Sequence, residues 1–467
     1  MNARRYLPFV GLLLLAGCST HVPDVGTVKS QLQLPTQWRN ALPDGEYVIA
    51  HNPWWRSFQD PQLEHLVERV LRHNNDLAAA SFRVKNAETQ AGIVRTNLTP
   101  NVAGGLTQNI GKDLKAGGPS LKTFSSSFSL SYELDLWGRL SKARDISHWE
   151  AMATHEDRLN VAMALIGTTM QLYWQLAFLN QSIEVNEASV ANARTSLELA
   201  RVRSSVGQVG PFEALQAEQQ VNLLLANGTA LLQQREESRN ALMVLLAAPP
   251  GWDDSLIINP IPQQPPAALR PDIPASILGQ RPDMKAAELR LRANFAHIQV
   301  QQRSLYPILN LTTGVSGGGT SELSDILRNP QGLFGVGLVL PFLEFNKGQL
   351  QVAGAEATYQ ENVELFKKQL YVALQDVENA LSAQQQFAEE AVYLARAQDN
   401  SRQSEHIAQT RYRLGQTPIK EWLDQQDAQR TIDLTVAQNR VNQLLARVKF
   451  YQAIGGHCGD VCADTPD

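Results

Sequence analysis

One cysteine of the chain stands where bacteria attach lipid to a protein. Arg4 and Arg5 precede an apolar run over residues 7–16, and Gly17 and Cys18 follow at once. The apolar run is too short to cross a bilayer and ends at small residues, which is typical of a cleaved lipoprotein signal. We therefore expect Cys18 to be lipidated, for example with palmitate, and to become N-terminal. The alternative is a plain secretory signal with an incidental cysteine.

The rest of the sequence offers little that could do catalysis. It contains no Gly-rich phosphate loop with its lysine, no His-Glu-x-x-His and no Gly-x-Ser-x-Gly, and its nine histidines do not cluster at ligand spacing. Cys458 and Cys462, beside His457, could bind a metal, although a small disulfide loop or no role fits an oxidising periplasm better. We expect neither an enzyme nor a resident metal or cofactor.

A long helical hairpin organises the chain. No proline occurs between Arg139 and Gly210, and Pro211 follows a glycine-containing break at residues 206–208. Apolar and small residues recur at spacings of three and four along both arms, which predicts helices packed against each other. At 1.5 Å per residue the first arm would approach ~100 Å, which is several times the length of an ordinary helix. A generic coiled coil is the alternative.

The same pattern returns about 207–210 residues later. Gly207 corresponds to Gly415, and the segment that begins at Asp76 corresponds to the one that begins at Asp283. Matching landmarks at one offset predict a tandem duplication of a single unit, each copy made of helix, two strands and helical hairpin. In the first copy, residues 62–97 are predicted to form one helix.

The residue period changes to two before each hairpin, which indicates strands with one apolar and one polar face. The predicted strands cover residues 101–110, 124–136, 308–316 and 332–341. Their length of about ten residues suits a tilted membrane-crossing strand, although soluble hairpins alternate in the same way. Four strands cannot close a membrane barrel, so this interpretation requires an oligomer.

The predicted organisation has two copies of the unit joined by a Pro-rich segment. It comprises a signal over residues 1–17, an extended leader over 18–60, a first repeat over 61–248, a linker over 249–282, a second repeat over 283–456 and a tail over 457–467. No run after the signal is long and apolar enough for a transmembrane helix. The formal net charge of −5 gives no indication of nucleic-acid binding.

These features together resemble TolC-like outer-membrane factors, and within them the OprM- and NodT-type lipoprotein branch. The resemblance covers nearly the whole mature chain, and its most specific parts are the lipid-site cysteine, the doubled unit, the Leu-Asp-Leu-Trp-Gly-Arg segment at residues 134–139 and the Tyr-Arg-Leu-Gly segment at residues 412–415. It implies a mostly α fold with membrane β structure: a trimer whose twelve strands, four per protomer, form a β-barrel continuous with a periplasmic α-helical barrel.

The resemblance also implies a function and partners. Such proteins are lipid-anchored exit ducts of the outer membrane in tripartite efflux systems, through which drugs, including antibiotics, or other solutes leave. An inner-membrane pump and a periplasmic adaptor complete the system. The adaptor would contact the helical tips, whose residues are Val206, Gly207, Gln208, Leu414, Gly415 and Gln416.

Residues near the tips match the gate of the family. Glu421 and Asp424 match its acidic constriction, whereas Tyr412 and Glu213 match two members of its closing network. Where the best-known pattern has an arginine, this chain has Thr417, so the latch must differ. In a trimer, repeated carboxylates around a narrow pore would favour cations. Two solvated carboxylates on a helix face are the alternative.

A periplasmic coiled-coil adaptor lipoprotein is the competing interpretation of the whole chain. It would also carry a lipidated cysteine and a long helical hairpin, but it should have one hairpin flanked by β-rich halves. The doubled hairpins and strand pairs disfavour it.

Overall fold

The computed structural model describes residues 24, 26–27, 34–40, 46–47, 53–112, 119–251, 257–264, 269–270, 279–320 and 330–456. Its helices are α1 Pro61–His73, α2 Asn75–Thr96, α3 Arg139–Ser205, α4 Pro211–Leu245, α5 Pro282–Arg303, α6 Phe345–Arg413 and α7 Ile419–Ala453, with 3-10 helices at Trp54–Phe58 and Pro341–Glu344. Its strands are β1 Glu46–Tyr47, β2 Asn101–Gly111, β3 Leu121–Leu134, β4 Leu269–Arg270, β5 Ile308–Gly319 and β6 Gln331–Val339. The lipid-site candidate Cys18 and the pair Cys458 and Cys462 lie outside the described residues.

The duplication is visible in the element bounds. Helices α2 and α5 both have 22 residues and begin 207 positions apart, and α4 and α7 both have 35 residues and begin 208 positions apart. In the first copy, helix α1 precedes α2. The prediction of one helix over residues 62–97 is wrong at Asn74, where α1 ends and α2 begins. The Asn74 side chain accepts hydrogen bonds from the N–H groups of Asp76 and Leu77, and so caps the first turn of α2.

The chain forms two compact units, and each contains segments of both repeats. The sheet unit comprises Met1–Gln33, Gln90–Glu150 and Glu288–Lys367, and the hairpin unit comprises Leu34–Thr89, Ala151–Ala287 and Lys368–Asp467.

In the sheet unit, four antiparallel strands follow the order β2-β3-β5-β6. Residues paired across the strands point to the same side of a sheet, so the register separates two faces. The apolar face carries Val102, Leu106, Ile110, Phe124, Phe128, Leu130, Tyr132, Leu134, Leu309, Leu311, Val315, Phe334, Val336 and Leu338. The opposite face carries mostly Ser, Gly, Thr and Asn, for example Ser125, Ser127, Ser129, Asn310 and Thr312, with Leu121, Leu333 and Val339 near strand ends.

The exit from β3 into α3 is fixed by a charged cap. Strand β3 ends at Leu134, two residues before the predicted end, because Asp135 accepts hydrogen bonds from the N–H groups of Leu140 and Ser141 and thereby starts the helix. Gly138 has a φ of +72°, and its carbonyl accepts a 2.9 Å hydrogen bond from Arg303. Glycine permits this left-handed conformation at little cost.

In the hairpin unit, the segment that precedes α1 packs against helices of both hairpins through large side chains. Trp54 and Trp55 are buried, and the ring of Trp54 stacks on that of Tyr451 with centroids 5.1 Å apart. Asp60 caps α1 and accepts a 2.7 Å hydrogen bond from the hydroxyl of Tyr173 on α3. These contacts fix the start of α1 against both repeats.

Each hairpin carries a buried asparagine that links its two arms. Asn186 of α3 donates a 3.1 Å hydrogen bond to the carbonyl of Leu224 in α4, and Asn439 of α7 donates a 3.1 Å hydrogen bond to the carbonyl of Phe387 in α6. A Cβ atom on Gly228 would lie 2.9 Å from the Asn186 amide nitrogen, so glycine leaves space for this contact. A buried polar side chain whose hydrogen bonds can form in only one alignment of the two helices favours that register.

Candidate functional site at the hairpin tips

The tip of the first hairpin is a helix end closed by a left-handed glycine. Gly207 has a φ of +76°, and the N–H groups of Gly207 and Gln208 return to the carbonyls of Ser204 and Arg203. This is the Schellman arrangement, which satisfies the last carbonyls of a helix. Helix α4 then begins at Pro211, where a missing N–H has no cost.

The second tip repeats this geometry. Gly415 has a φ of +73°, and the N–H groups of Gly415 and Gln416 return to the carbonyls of Tyr412 and Arg411. The break predicted at each tip therefore follows from the same residue pattern of Leu or Val, then Gly, then Gln. One residue before each glycine, Val206 and Leu414 are 64% and 68% exposed.

Tyr412 is the centre of the contact between the two hairpins. Its side chain is 0% exposed, and its ring stacks on that of Trp422 in α7 with centroids 5.5 Å apart. Its hydroxyl donates to a carboxylate oxygen of Glu213, the first acidic residue of α4, at 3.3 Å. The structure thus brings together Tyr412 and Glu213, which are 199 residues apart in the chain. Burial, and then the neighbouring charge of Glu213, raise the pKa of the Tyr412 phenol, so it remains a neutral donor.

Arg203 is the residue of this cluster that sequence reasoning missed. Its guanidinium carbon lies 4.7 Å from the centre of the Tyr412 ring, and its Nη1 donates a 2.7 Å hydrogen bond to the Tyr412 carbonyl. The same carbonyl accepts the N–H of Gly415, so Arg203 holds the turn as well as the ring. Arg203 lies in the last turn of α3, where a basic residue is common, so its position in the sequence does not indicate a contact with the other repeat.

Thr417 occupies the position at which the best-known family pattern has an arginine, so we expected the latch of this chain to differ. Its hydroxyl is buried and has no hydrogen-bond partner among the described residues. The cation beside Tyr412 comes instead from Arg203 in the first hairpin.

The two candidate constriction carboxylates are both paired with cations of the same chain. Glu421 lies 3.7 Å from Nη1 of Arg411, and both carboxylate oxygens of Asp424 accept 2.8 Å hydrogen bonds from Nζ of Lys420. The two carboxylates are three residues apart on α7. Neither is buried, which also fits the alternative of a solvated helix face.

A polar groove adjoins the tips within the hairpin unit. Its volume is about 420 Å³, and its lining includes Gln220, Arg413, Trp422, Asp427 and Arg430. Gln220 of α4 donates a 2.7 Å hydrogen bond to Asp427 of α7, which joins the hairpins above the tip cluster. The lining is rich in amide and charged groups, so the groove is polar.

The described part of the chain offers neither a cluster of metal ligands nor a membrane-spanning helix. No group of three or more His, Cys, Asp or Glu side chains in this part of the chain is placed to hold a metal ion. None of the helices described combines the length and the hydropathy of a membrane-spanning helix.

A two-faced sheet of four strands combined with two long helical hairpins in tandem defines a TolC-like outer-membrane channel. Residues 66–248 and 273–456 match the family described as outer membrane efflux protein, and the chain belongs to this family. It is 30% identical, over 98% of its own length and 98% of the relative's, to the pyoverdine export outer membrane protein OpmQ of Pseudomonas putida.

Two further comparisons agree. The chain is 27% identical to the toxin and drug export protein A of Aggregatibacter actinomycetemcomitans, over 87% of this chain and 89% of that protein. The structure of the outer-membrane channel OprN superimposes with a TM-score of 0.82 at 24% identity, over 90% of this chain and 96% of that one. The TolC-like fold predicted from the sequence is confirmed. The protein is an efflux channel of the outer membrane and not an enzyme, and the alternative of an adaptor lipoprotein is not favoured.

Proposed function

We propose that three copies of this chain form one exit duct, with the four-stranded sheets joined edge to edge into a twelve-stranded barrel. The main support for this proposal is that apolar and polar side chains lie on opposite faces of the four-stranded sheet. One face carries Val, Leu, Ile or Phe on all four strands, with Lys122 and Gln108 among them, and many of these apolar side chains are exposed. The other face is mostly Ser, Gly, Thr and Asn, with apolar residues near the strand ends. Strands β2 and β6 form the two edges of the described sheet, and an unpaired edge is not tolerated in lipid.

Adjacent residues on β2 provide a matched test of the faces. Leu106 lies on the apolar face and is 78% exposed, whereas Thr107 lies on the polar face. An arginine on a lipid-facing position costs about 2–4 kcal/mol at mid-membrane, while a lumen position tolerates charge. Leu106→Arg should therefore reduce the yield of heat-resistant trimers in outer-membrane fractions, and Thr107→Arg should not.

Detergent-extracted protein provides the direct test of assembly. Size-exclusion chromatography with light scattering should give a trimer, and electron microscopy should show a tapered hollow particle. A monodisperse monomer, or equal losses for Leu106→Arg and Thr107→Arg, would contradict the trimeric barrel.

We further propose that the tips form the periplasmic gate. Glu421 and Asp424 would line the constriction, and Tyr412 with Glu213 would belong to the network that holds it closed. The 3.3 Å hydrogen bond between Tyr412 and Glu213, in a cluster that also contains buried Trp422, supports this assignment. Breaking that cluster should favour the open channel.

The tips are also the proposed contact for a periplasmic adaptor that links the duct to an inner-membrane pump. Exposed Val206 and Leu414 project from equivalent positions of the two turns, which supports a surface repeated within each chain. Val206→Asp and Leu414→Asp should abolish efflux in cells while leaving the conductance of the purified channel unchanged. Loss of both functions would indicate a folding defect instead. The proposed lipid anchor is Cys18.

A further inference from the structure

The carboxylates of the proposed constriction do not stand alone. Lys420 precedes Asp424 by one helical turn of α7, and Arg411 of α6 reaches Glu421 across the second tip. All four side chains are partly exposed, with relative accessibilities between 42% and 63%. Ion pairs as exposed as these contribute little to stability. Their charges still change the electrostatic field around Glu421 and Asp424.

Opposite charges 2.8–3.7 Å apart largely cancel at distances much longer than their separation. Salt screens the remainder with a length of about 8 Å at physiological ionic strength. A solute at the centre of a pore would therefore meet a weak field from each pair rather than the field of a bare carboxylate. The segment from Arg411 to Asp424 supports this balance, since it contains three cationic residues, Arg411, Arg413 and Lys420, and only two acidic ones.

We propose that Lys420 and Arg411 are specificity-determining residues of this channel. They offset Asp424 and Glu421, so the constriction does not exclude anionic or zwitterionic solutes as a ring of bare carboxylates would. This inference rests on the proposed function, in which Glu421 and Asp424 line the constriction. It assigns the cations of the tip a role in choosing solutes rather than in holding the fold.

The test is the reversal potential of the purified full-length channel in planar bilayers under a potassium chloride gradient. The wild-type channel should discriminate weakly between potassium and chloride. Lys420→Gln combined with Arg411→Gln should raise the permeability ratio of potassium to chloride about fivefold or more, because the carboxylates lose their partners. Glu421→Gln combined with Asp424→Asn should shift the ratio in the opposite direction.

Two controls keep the result specific. Lys420→Arg preserves the charge and should leave the ratio unchanged. Arg402→Gln removes a cation of similar exposure, paired with Asp433 at 3.8 Å on the same two helices, and should also leave it unchanged. Trimer yield of each variant shows that it assembles.

The outcomes separate the two levels of the proposal. A wild-type channel with strong cation selectivity that the Lys420 and Arg411 variants leave unchanged would overturn the role of the cations. Conducting channels that respond to neither pair of substitutions would show that these four residues do not line the constriction.

Discussion

Removing the guanidinium of Arg203 should loosen the contact between the two hairpin tips. The group donates a 2.7 Å hydrogen bond to the Tyr412 carbonyl and lies 4.7 Å from the ring centre. A hydrogen bond with a charged donor contributes about 1.5–3 kcal/mol, and a partly exposed cation–π contact adds about 0.5–1 kcal/mol. Since Arg203 is only half-buried, we expect Arg203→Ala to cost about 2 kcal/mol of the contact between the hairpins.

That cost has a measurable consequence if opening separates the two hairpin tips. About 1.4 kcal/mol changes an equilibrium tenfold, so the balance of closed to open should shift by roughly 30-fold per protomer. The assay is the open probability of single purified channels in planar bilayers. A second readout is the sensitivity of cells to a large antibiotic that the intact outer membrane excludes. Arg203→Lys keeps the charge but loses the planar stacking, and should give an intermediate effect.

The chain offers a matched control two residues earlier. Arg201 pairs with Glu218 at 3.3 Å, and both side chains are about half exposed, so the pair should contribute little. Arg201→Ala should therefore resemble the wild type in both assays. If Arg203→Ala and Arg201→Ala gave the same open probability, the clamp on Tyr412 would have no part in closing the channel.

Three further predictions concern other parts of the chain. Burial alone would raise the pKa of Asp135, but hydrogen bonds from the Ser141 hydroxyl and from main-chain N–H groups outweigh burial, so the pKa is lowered. The stability that ionised Asp135 contributes is therefore present above the pKa of the unfolded state. It is lost as pH falls through the pKa of the folded state. Asp135→Asn should lower stability by about 1 kcal/mol at pH 7, measured by thermal melting, with the difference disappearing in acid. Gly228→Ala should destabilise the protein by displacing the Asn186 amide, and a double-mutant cycle with Asn186→Ala should show strong coupling in chemical denaturation. Cys18→Ser should abolish lipid attachment, measured by intact mass, without reducing trimer yield, since the proposed barrel would bury far more apolar surface in lipid than one anchor.

Residue periodicity was enough to predict the elements because each has a strong local signal. The hairpin arms lack internal proline and break at glycines that the structure shows in left-handed conformation, at Gly207 and Gly415. Alternation predicted all four long strands, with end positions that differ by up to three residues. Two of the misplaced boundaries have one cause: Asn74 and Asp135 are side-chain caps, which stop one element and start the next.

The pairings at the site were harder to predict because they join distant parts of the chain. Lys420 and Asp424 are four residues apart on one helix, so their contact follows from the sequence. The contact between Arg203 and Tyr412 spans 209 residues and depends on how one hairpin packs on the other. No local pattern of residue types contains that information. The resemblance suggested Tyr412 and Glu213 but did not suggest the cation.

The position of that cation shows how a tandem duplication allows one contact to be built from either copy. Thr417, after the second tip, occupies the position of the arginine in the family pattern. Arg203 lies in the first hairpin, four residues before Gly207. Because the two tips have the same turn, we expect a guanidinium at position 417 to reach the Tyr412 ring as Arg203 does. On this hypothesis closure depends on a cation beside Tyr412 and not on which hairpin supplies it. Thr417→Arg combined with Arg203→Ala should therefore recover part of the closed state lost in Arg203→Ala, and a double variant as open as the single one would refute this equivalence.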